Sequence, residues 1–358
     1  MAELNAEQAR AIPLTTRPFG EVSKGYTVFR DRDVLAAKIT PCWENGKVGQ
    51  AELDHAVGVG STEFHVVRPT EQLHDRYLLH FLRQPRVRAA GELRMTGSGG
   101  QRRVPTAFFE ELAIPVPPLP EQRRIAAILD HADALRAKRR QVLAHLDSLS
   151  QSIFHDIFGD LRATSTVAAE ASKIRTGPFG SQLLHSEFVE EGIAVLGLDN
   201  VVGNEFRWAE RRFITPVKYE TLKRYTVSPG DVLISIMGTT GRCVVVPDDI
   251  PTAINTKHIC AITPESARLH PTFLRGAFLW HPDSLAHLRR QTKGSIMDGL
   301  NMGIIKAMPI PILPLAAQEV FAKRVESVNA QRAAIQRAVA ADDELFASLQ
   351  SRAFRGGL

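Results

Sequence analysis

Pro118-Leu119-Pro120-Glu121-Gln122-Arg123-Arg124-Ile125-Ala126-Ala127-Ile128-Leu129-Asp130 opens the segment whose periodicity decides the fold. From it, Ile125, Ile128, Ala132, Leu135, Arg139, Val142, Leu146, Leu149 and Ile153 recur at alternating spacings of three and four. That is a heptad seam with one polar member, Arg139, and charged flanks. Pro120 suits a helix start, Glu121 complements the dipole there, and Gly159 suits the end. The spacing predicts a long helix over 119–158.

The pattern returns. Pro314-Leu315-Ala316-Ala317-Gln318 precedes Phe321, Val325, Val328, Arg332, Ile335, Val339, Asp342, Phe346, Leu349 and Ala353, again spaced by four and three. Two of its members, Arg332 and Asp342, are polar. A second long helix is predicted over 315–358, with Gly356 suited to its end. Working outward, Gln122 and Gln318 lie 196 residues apart. Tyr26-Thr27-Val28 returns as Tyr225-Thr226-Val227, Asp33-Val34-Leu35 as Asp231-Val232-Leu233, and Thr96-Gly97-Ser98 as Lys293-Gly294-Ser295. Short matches in one order at nearly one offset, 196 to 199 residues, mean a tandem duplication. The period is far too long for a solenoid. Domains are therefore predicted over 1–118 and 159–314. Ahead of the shared Asp-Val-Leu the first is about 40 residues the shorter, so either it is shortened at its N-terminus or the sequence starts late.

Outside the helices the pattern shortens to strands between turns. Asp33 to Ile39, Glu63 to Pro69, Asp231 to Met237, Cys243 to Pro247 and His258 to Pro264 read this way; Tyr77 to Leu82 and Pro271 to Leu279 read as short helices. The expected class is α+β: two mixed α/β domains separated by long helices that pair as an antiparallel coiled coil. The apolar seam would be Ile125, Ile128, Leu135, Val142, Leu146, Leu149 and Ile153 against Phe321, Val325, Val328, Ile335, Val339, Phe346 and Leu349.

A formal charge of +5 over 358 residues, with Arg far exceeding Lys, favours an anionic partner only weakly. The three cysteines, Cys42, Cys243 and Cys260, have neither disulfide nor zinc-ligand spacing. The first residues lack a signal-peptide core, and no apolar run is long enough for a membrane helix. A cytoplasmic protein with no membrane contact is expected. No carboxylate lies two residues before any lysine, as the commonest nuclease core requires. No Asn-Pro-Pro-aromatic clamp for a flipped base occurs, and no phosphate-cradling Gly-x-x-x-x-Gly-Lys-Ser/Thr loop. Binding is the better reading than catalysis, and neither a catalytic nor a metal site is predicted.

Two variable domains, each followed by a heptad helix with this opening, resemble the specificity subunits of type I restriction–modification systems. The closest phrases are Leu119-Pro-Glu-Gln-Arg-Arg-Ile-Ala-Ala-Ile-Leu-Asp130, Arg175-Thr-Gly-Pro-Phe-Gly-Ser-Gln182, Pro229-Gly-Asp-Val-Leu-Ile-Ser235 and Lys38-Ile-Thr-Pro-Cys-Trp-Glu-Asn-Gly-Lys47. The resemblance implies two target-recognition domains, each reading half of a split site in double-stranded DNA, with the helices as spacer. It implies two modification subunits and restriction subunits as partners. S-adenosylmethionine, ATP and Mg would sit on those partners, with no cofactor in this chain. A second reading stays open: an orphan or truncated scaffold that binds modification subunits without reading a full target.

Candidate DNA-binding residues follow from side-chain chemistry at loop positions. In the first domain they are Lys38, Asn45, Lys47, Ser98, Gln101, Arg102 and Arg103. In the second they are Lys173, Arg175, Thr176, Ser181, Gln182, Thr239, Thr240, Arg242, Asn255, Lys257, Arg290, Lys293 and Ser295. Arg83, Arg86, Arg88, Arg94, Arg102 and Arg103 crowd one stretch with only Glu92 among them. That is either a solvated helix face or a phosphate-gripping one. Gly177 and Gly180 serve either a structural turn or close approach to a ligand. Trp43 and Trp208 read as packing residues.

Overall fold

The structure, a computed structural model, describes all residues except 2, 23, 99, 209 and 292–299, and at residue 19 the backbone alone. It divides into two compact units. One is Met1–Ala144 with Ala334–Leu358; the other is His145–Ala333. Each unit packs its strands on short helices and on parts of both long helices; among the described residues the first has a five-stranded and a two-stranded sheet, the second a five-stranded, a four-stranded and a two-stranded one. The class is α+β, as the periodicity requires.

The long helices run Leu119–Phe158 and Leu315–Ala353. Gly159 ends the first, where a side chain would meet the His155 carbonyl; Gly356, at φ +78°, ends the second. Their pairing is antiparallel within each unit. In the first unit Arg139 meets Asp342 at 2.7 Å, and Arg136 and Arg140 both meet Asp343. In the second, Arg332 meets Asp147, and Phe321 packs on Phe154 and Phe158. The polar seam residues are thus ion-paired across the seam. Ile125, Leu146, Phe321, Val325, Val328 and Phe346 are buried. Ile128, Ile153, Ile335 and Val339 are half-buried. Leu135, Val142 and Leu149 stay more than a third exposed, so the middle of the seam is shallower than a continuous heptad predicts.

In the first unit the sheet places Val34–Ala37 between Val48–Ala51 and Phe64–Val67, both antiparallel to it. In the second, Val232–Ser235 lies between Cys243–Val245 and Ile259–Pro264, and Ala171–Thr176 extends that sheet. Each central strand is buried on both faces, which explains its continuous apolar run. Val34 and Ala36 face a core with Tyr77, Leu78, Phe81, Leu129 and Phe354; Val232 and Ile234 face one with Phe154, Phe158, Phe273 and Phe321. The predicted short helices are Asp75–Leu82 and Pro271–Trp280.

The duplication is visible atom by atom. Gln122 is fully buried; its oxygen accepts from the His74 amide and its nitrogen donates to the Gln72 and Pro117 carbonyls. Gln318 repeats this with the His270 amide and the Arg268 and Leu313 carbonyls. Three backbone groups that burial would otherwise strand are satisfied by one side chain in each unit. That accounts for the Gln in both helix openings.

Candidate nucleic-acid interface

In each unit the candidate loops emerge from one end of the sheet. In the first, the hairpin Val34–Ala37/Val48–Ala51 is joined by residues 38–47. Residues 96–103 close against that turn. Thr96 and Arg103 exchange both backbone bonds, the Thr40 amide donates to the Arg102 carbonyl, and the Val104 amide donates to the Lys38 carbonyl. The positive φ at Gly97 and Gly100 lets the loop reverse so tightly. Lys38, Asn45, Lys47, Ser98, Gln101, Arg102 and Arg103 are therefore brought to one end of one sheet.

Acidic neighbours temper this group. Arg103 forks onto Glu63 at 3.0 Å, and that hydrogen bond holds the Glu63 carboxyl below its usual range. Arg102 lies 3.4 Å from Glu44, a weaker hold. Lys47 donates to the Met1 carbonyl. Ser98, Gln101 and Asn45 are exposed.

The rest of the arginine-rich stretch divides. Arg86 lies over the Phe81 ring and Arg94 pairs with Glu111. Arg83 and Arg88 line a cavity with Asn45, Arg136 and Arg140. Trp43 is a packing residue: it is buried, edge-on to Phe108 and Phe109, and its indole donates to the Arg88 carbonyl.

In the second unit three loops meet at the corresponding end. The tight turn 236–242 is built on Ser235, whose hydroxyl donates to the Thr239 carbonyl and accepts from the Arg242 amide. The Ile236 amide donates to the His258 carbonyl, joining that turn to the 255–258 loop. Gly177 lies on the Asn255 and Thr256 backbone, where a side chain would sit 2.0 Å from the Asn255 oxygen. Its glycine is thus needed for internal packing. Gly180, at φ +57°, has open space around it and serves the turn. Thr176, Ser181, Gln182, Thr239, Thr240, Arg242 and Lys257 are gathered here. Gln182 is held by the Tyr225 hydroxyl.

Two candidates are corrected by burial. Arg175 is inside, ion-paired with Asp231 and donating to Thr263 and the Thr226 carbonyl. Asn255 is fully buried at a strand end and donates its amide to the Ile259 and Thr256 carbonyls. Both side chains are committed to internal partners: Arg175 to groups that only long-range strand pairing brings near, Asn255 to carbonyls one and four residues on. Lys173 pairs in register with Thr263, three residues down the strand from Thr176, about 10 Å from the loop end. Arg290 is exposed and donates to Ala286 of its own helix. Lys293 and Ser295 lie outside the described residues.

Sequence reasoning missed the carboxylates Glu44 and Glu63, and it missed Thr256. Among the described residues, Arg242 Nε, Asn255 Oδ1 and Thr256 Oγ1 are buried without a hydrogen-bond partner. All three lie at this one end. Such atoms also occur elsewhere in the molecule, among them Glu44 Oε2, His80 Nδ1 and His281 Nδ1.

Residues 14–145 match the family described as type I restriction modification DNA specificity domain. Over 140 residues the chain is 45% identical to the EcoEI specificity subunit of Escherichia coli, covering 38% of this chain and 24% of that one. Over 153 residues it is 42% identical to the EcoAI specificity subunit of the same organism, covering 41% and 25%. The chain spans about a quarter of the length of these two relatives. A solved structure from work on complex assembly and conformational transition of the type I R-M system matches with TM-score 0.63 and 18% identity, over all of this chain and 90% of that one. The resemblance to type I specificity proteins read from the motifs is borne out in these matches. The sequence likeness is strong over 14–145, and the likeness in fold extends over the whole chain.

Proposed function

We propose that this chain is the DNA specificity subunit of a cytoplasmic type I restriction–modification complex. It reads a bipartite target in double-stranded DNA and holds the modification and restriction subunits that carry S-adenosylmethionine, ATP and Mg. The carrying observation is that both units present polar, donor-bearing loops at the same end of the same hairpin. Such loops suit base edges and phosphates, while the buried Gln and Asp contacts behind them hold the scaffold rigid. This chain then supplies recognition, and chemistry falls to its partners. Among the described residues no helix is long and apolar enough to cross a membrane.

Methylation mapping of cells carrying this chain with its modification subunits tests the reading. One split motif is expected, lost when the chain is deleted. Replacing Thr239, Thr240 and Arg242 together by alanine should alter one half of the motif and leave the other unchanged. A contiguous motif, or one indifferent to the chain, would overturn the proposal.

A further inference from the structure

One turn of the first unit carries two different basic features. On one side of the 38–47 turn, Glu44 meets Arg102. On the other, Asn45 and Gly46 border a cavity of about 230 Å³ that Arg83, Arg88, Arg136 and Arg140 also line. Two of these arginines come from the long helix and two from the segment before it.

The charges do not cancel. Asp133 pairs with Arg83 and Arg136, and Asp343 pairs with Arg136 and Arg140. Two carboxylates thus serve three guanidiniums. The fourth, Arg88, is exposed and has no carboxylate partner among the described residues. Glu7, also at the cavity, is exposed. The Arg88 head lies against Gly46, where a side chain would come within 3.1 Å of Nη1; Gly46 also holds φ +67°. The Arg88 backbone is fixed by the Trp43 indole, which donates to its carbonyl, and Gly91 lets that ring pack closely on the same helix. Arg136 is pinned over the Phe346 ring. The arginines are therefore held in place with an excess of positive charge around a space large enough for a tetrahedral oxyanion. Guanidinium forks are the side chains best matched to phosphate oxygens. The second unit has no such site at this position: 196 residues on from Arg88 stands Ser284, buried and donating to the Pro309 carbonyl.

We propose that this cavity seats a backbone phosphate of bound duplex DNA, with Arg88 as its principal ligand and Arg140 contributing from the long helix. The helix is then a DNA grip as well as a spacer. The proposal rests on the DNA-reading function above and adds a phosphate site to it.

Binding of a fluorescently labelled duplex of arbitrary sequence to the full chain, measured over a salt series, decides it. Arg88→Gln should make the slope of log K against log salt shallower by about one, the signature of one lost phosphate contact. Arg86→Gln, on the same helix but lying over Phe81, should leave the slope unchanged. If Arg102→Gln flattens the slope and Arg88→Gln does not, the cavity proposal fails and the DNA-reading proposal stands. If the unaltered chain shows no salt-dependent binding, both fail. Inorganic phosphate separates the remaining source. Should it raise the melting temperature of the unaltered chain but not of Arg88→Gln, while the DNA slope ignores that substitution, the site serves a free anion and the proposal is overturned.

Discussion

Asp33 in the first unit and Asp231 in the second stand at the same step of the same hairpin, and each accepts from the amide three residues before it. Their cations arrive by different routes. In the second unit Arg175 reaches Asp231 from strand Ala171–Thr176, and Thr263 adds a hydroxyl. Among the described residues the first unit has no strand in that place. Arg68 follows Val67 there as Thr263 follows Ile262, and it forks onto Asp33 instead. Burial pushes the Asp33 carboxyl up, but Arg68 outweighs it and holds it below the usual range. Arg68 is half exposed, whereas Arg175 is buried. The first unit keeps the buried carboxylate and pairs it with a cation at the surface.

The largest expected effect tests that contrast. Arg175→Leu leaves Asp231 charged and enclosed, at a cost of about 3–5 kcal/mol. Arg68→Leu removes a partner that water can partly replace, and about 1–2 kcal/mol is expected. Denaturant titration reads both. Trp43 is the only tryptophan of the first unit, so a background with Trp208 and Trp280 replaced by phenylalanine reports that unit separately. Equal costs would mean that the two carboxylates are equally enclosed and that the contrast is empty.

Acid should separate the units next. Burial raises the Asp130 carboxyl, but hydrogen bonds from His80 and Arg76 outweigh it and hold it well below the usual range. Burial pushes the His80 imidazole down, despite Asp130 beside it. A carboxylate whose folded pKa is depressed contributes stability that is complete above the unfolded value of roughly 4. That contribution is lost as pH falls below it. In the second unit, 196 residues on, stand Gly276 and an exposed Glu326. On acidification from neutral pH the Trp43-reported transition should weaken before that of the other unit. Asp130→Asn should cost roughly 2 kcal/mol at neutral pH and abolish the difference below pH ~4. Units that lose stability together would show that this network does not set the acid limit.

What was legible in the sequence follows from the range of each signal. Heptad seams, hairpin strands and cap residues are local patterns, and they fell within a few residues of where the helices and strands stand. The duplication even marked Gln122 and Gln318, although their matching backbone contacts needed coordinates. The failures are long-range. Arg139 and Asp342 were each readable as polar seam members, but their pairing depends on antiparallel register. Arg175 looked like a loop donor because the strand that encloses it against Asp231 lies some 85 residues further along the chain. The arginine-rich stretch reads as one face, yet its members divide among a ring, four carboxylates and a cavity, a division set by helix phase and by Glu44, Glu63, Glu111 and Asp133.

The smallest expected effect concerns Arg102 and Arg103, adjacent residues held by different means. Reading charge alone, removing both should flatten the salt slope of DNA binding by about two. The geometry divides that number unequally. Arg103 already fills its fork with Glu63, so gripping a phosphate means exchanging one oxyanion for another. Arg102 is held only at 3.4 Å by Glu44 and is 45% exposed, so it can turn to a phosphate at little cost. Arg102→Gln should therefore shift the slope by about one, and Arg103→Gln by clearly less. Glu44→Gln should strengthen binding slightly at low salt by removing a competing carboxylate, while Glu63→Gln should raise the effect of a later Arg103→Gln. Equal shifts from the two arginines would mean that Glu63 releases Arg103 on binding, and that the ion pair is a rest position rather than a commitment.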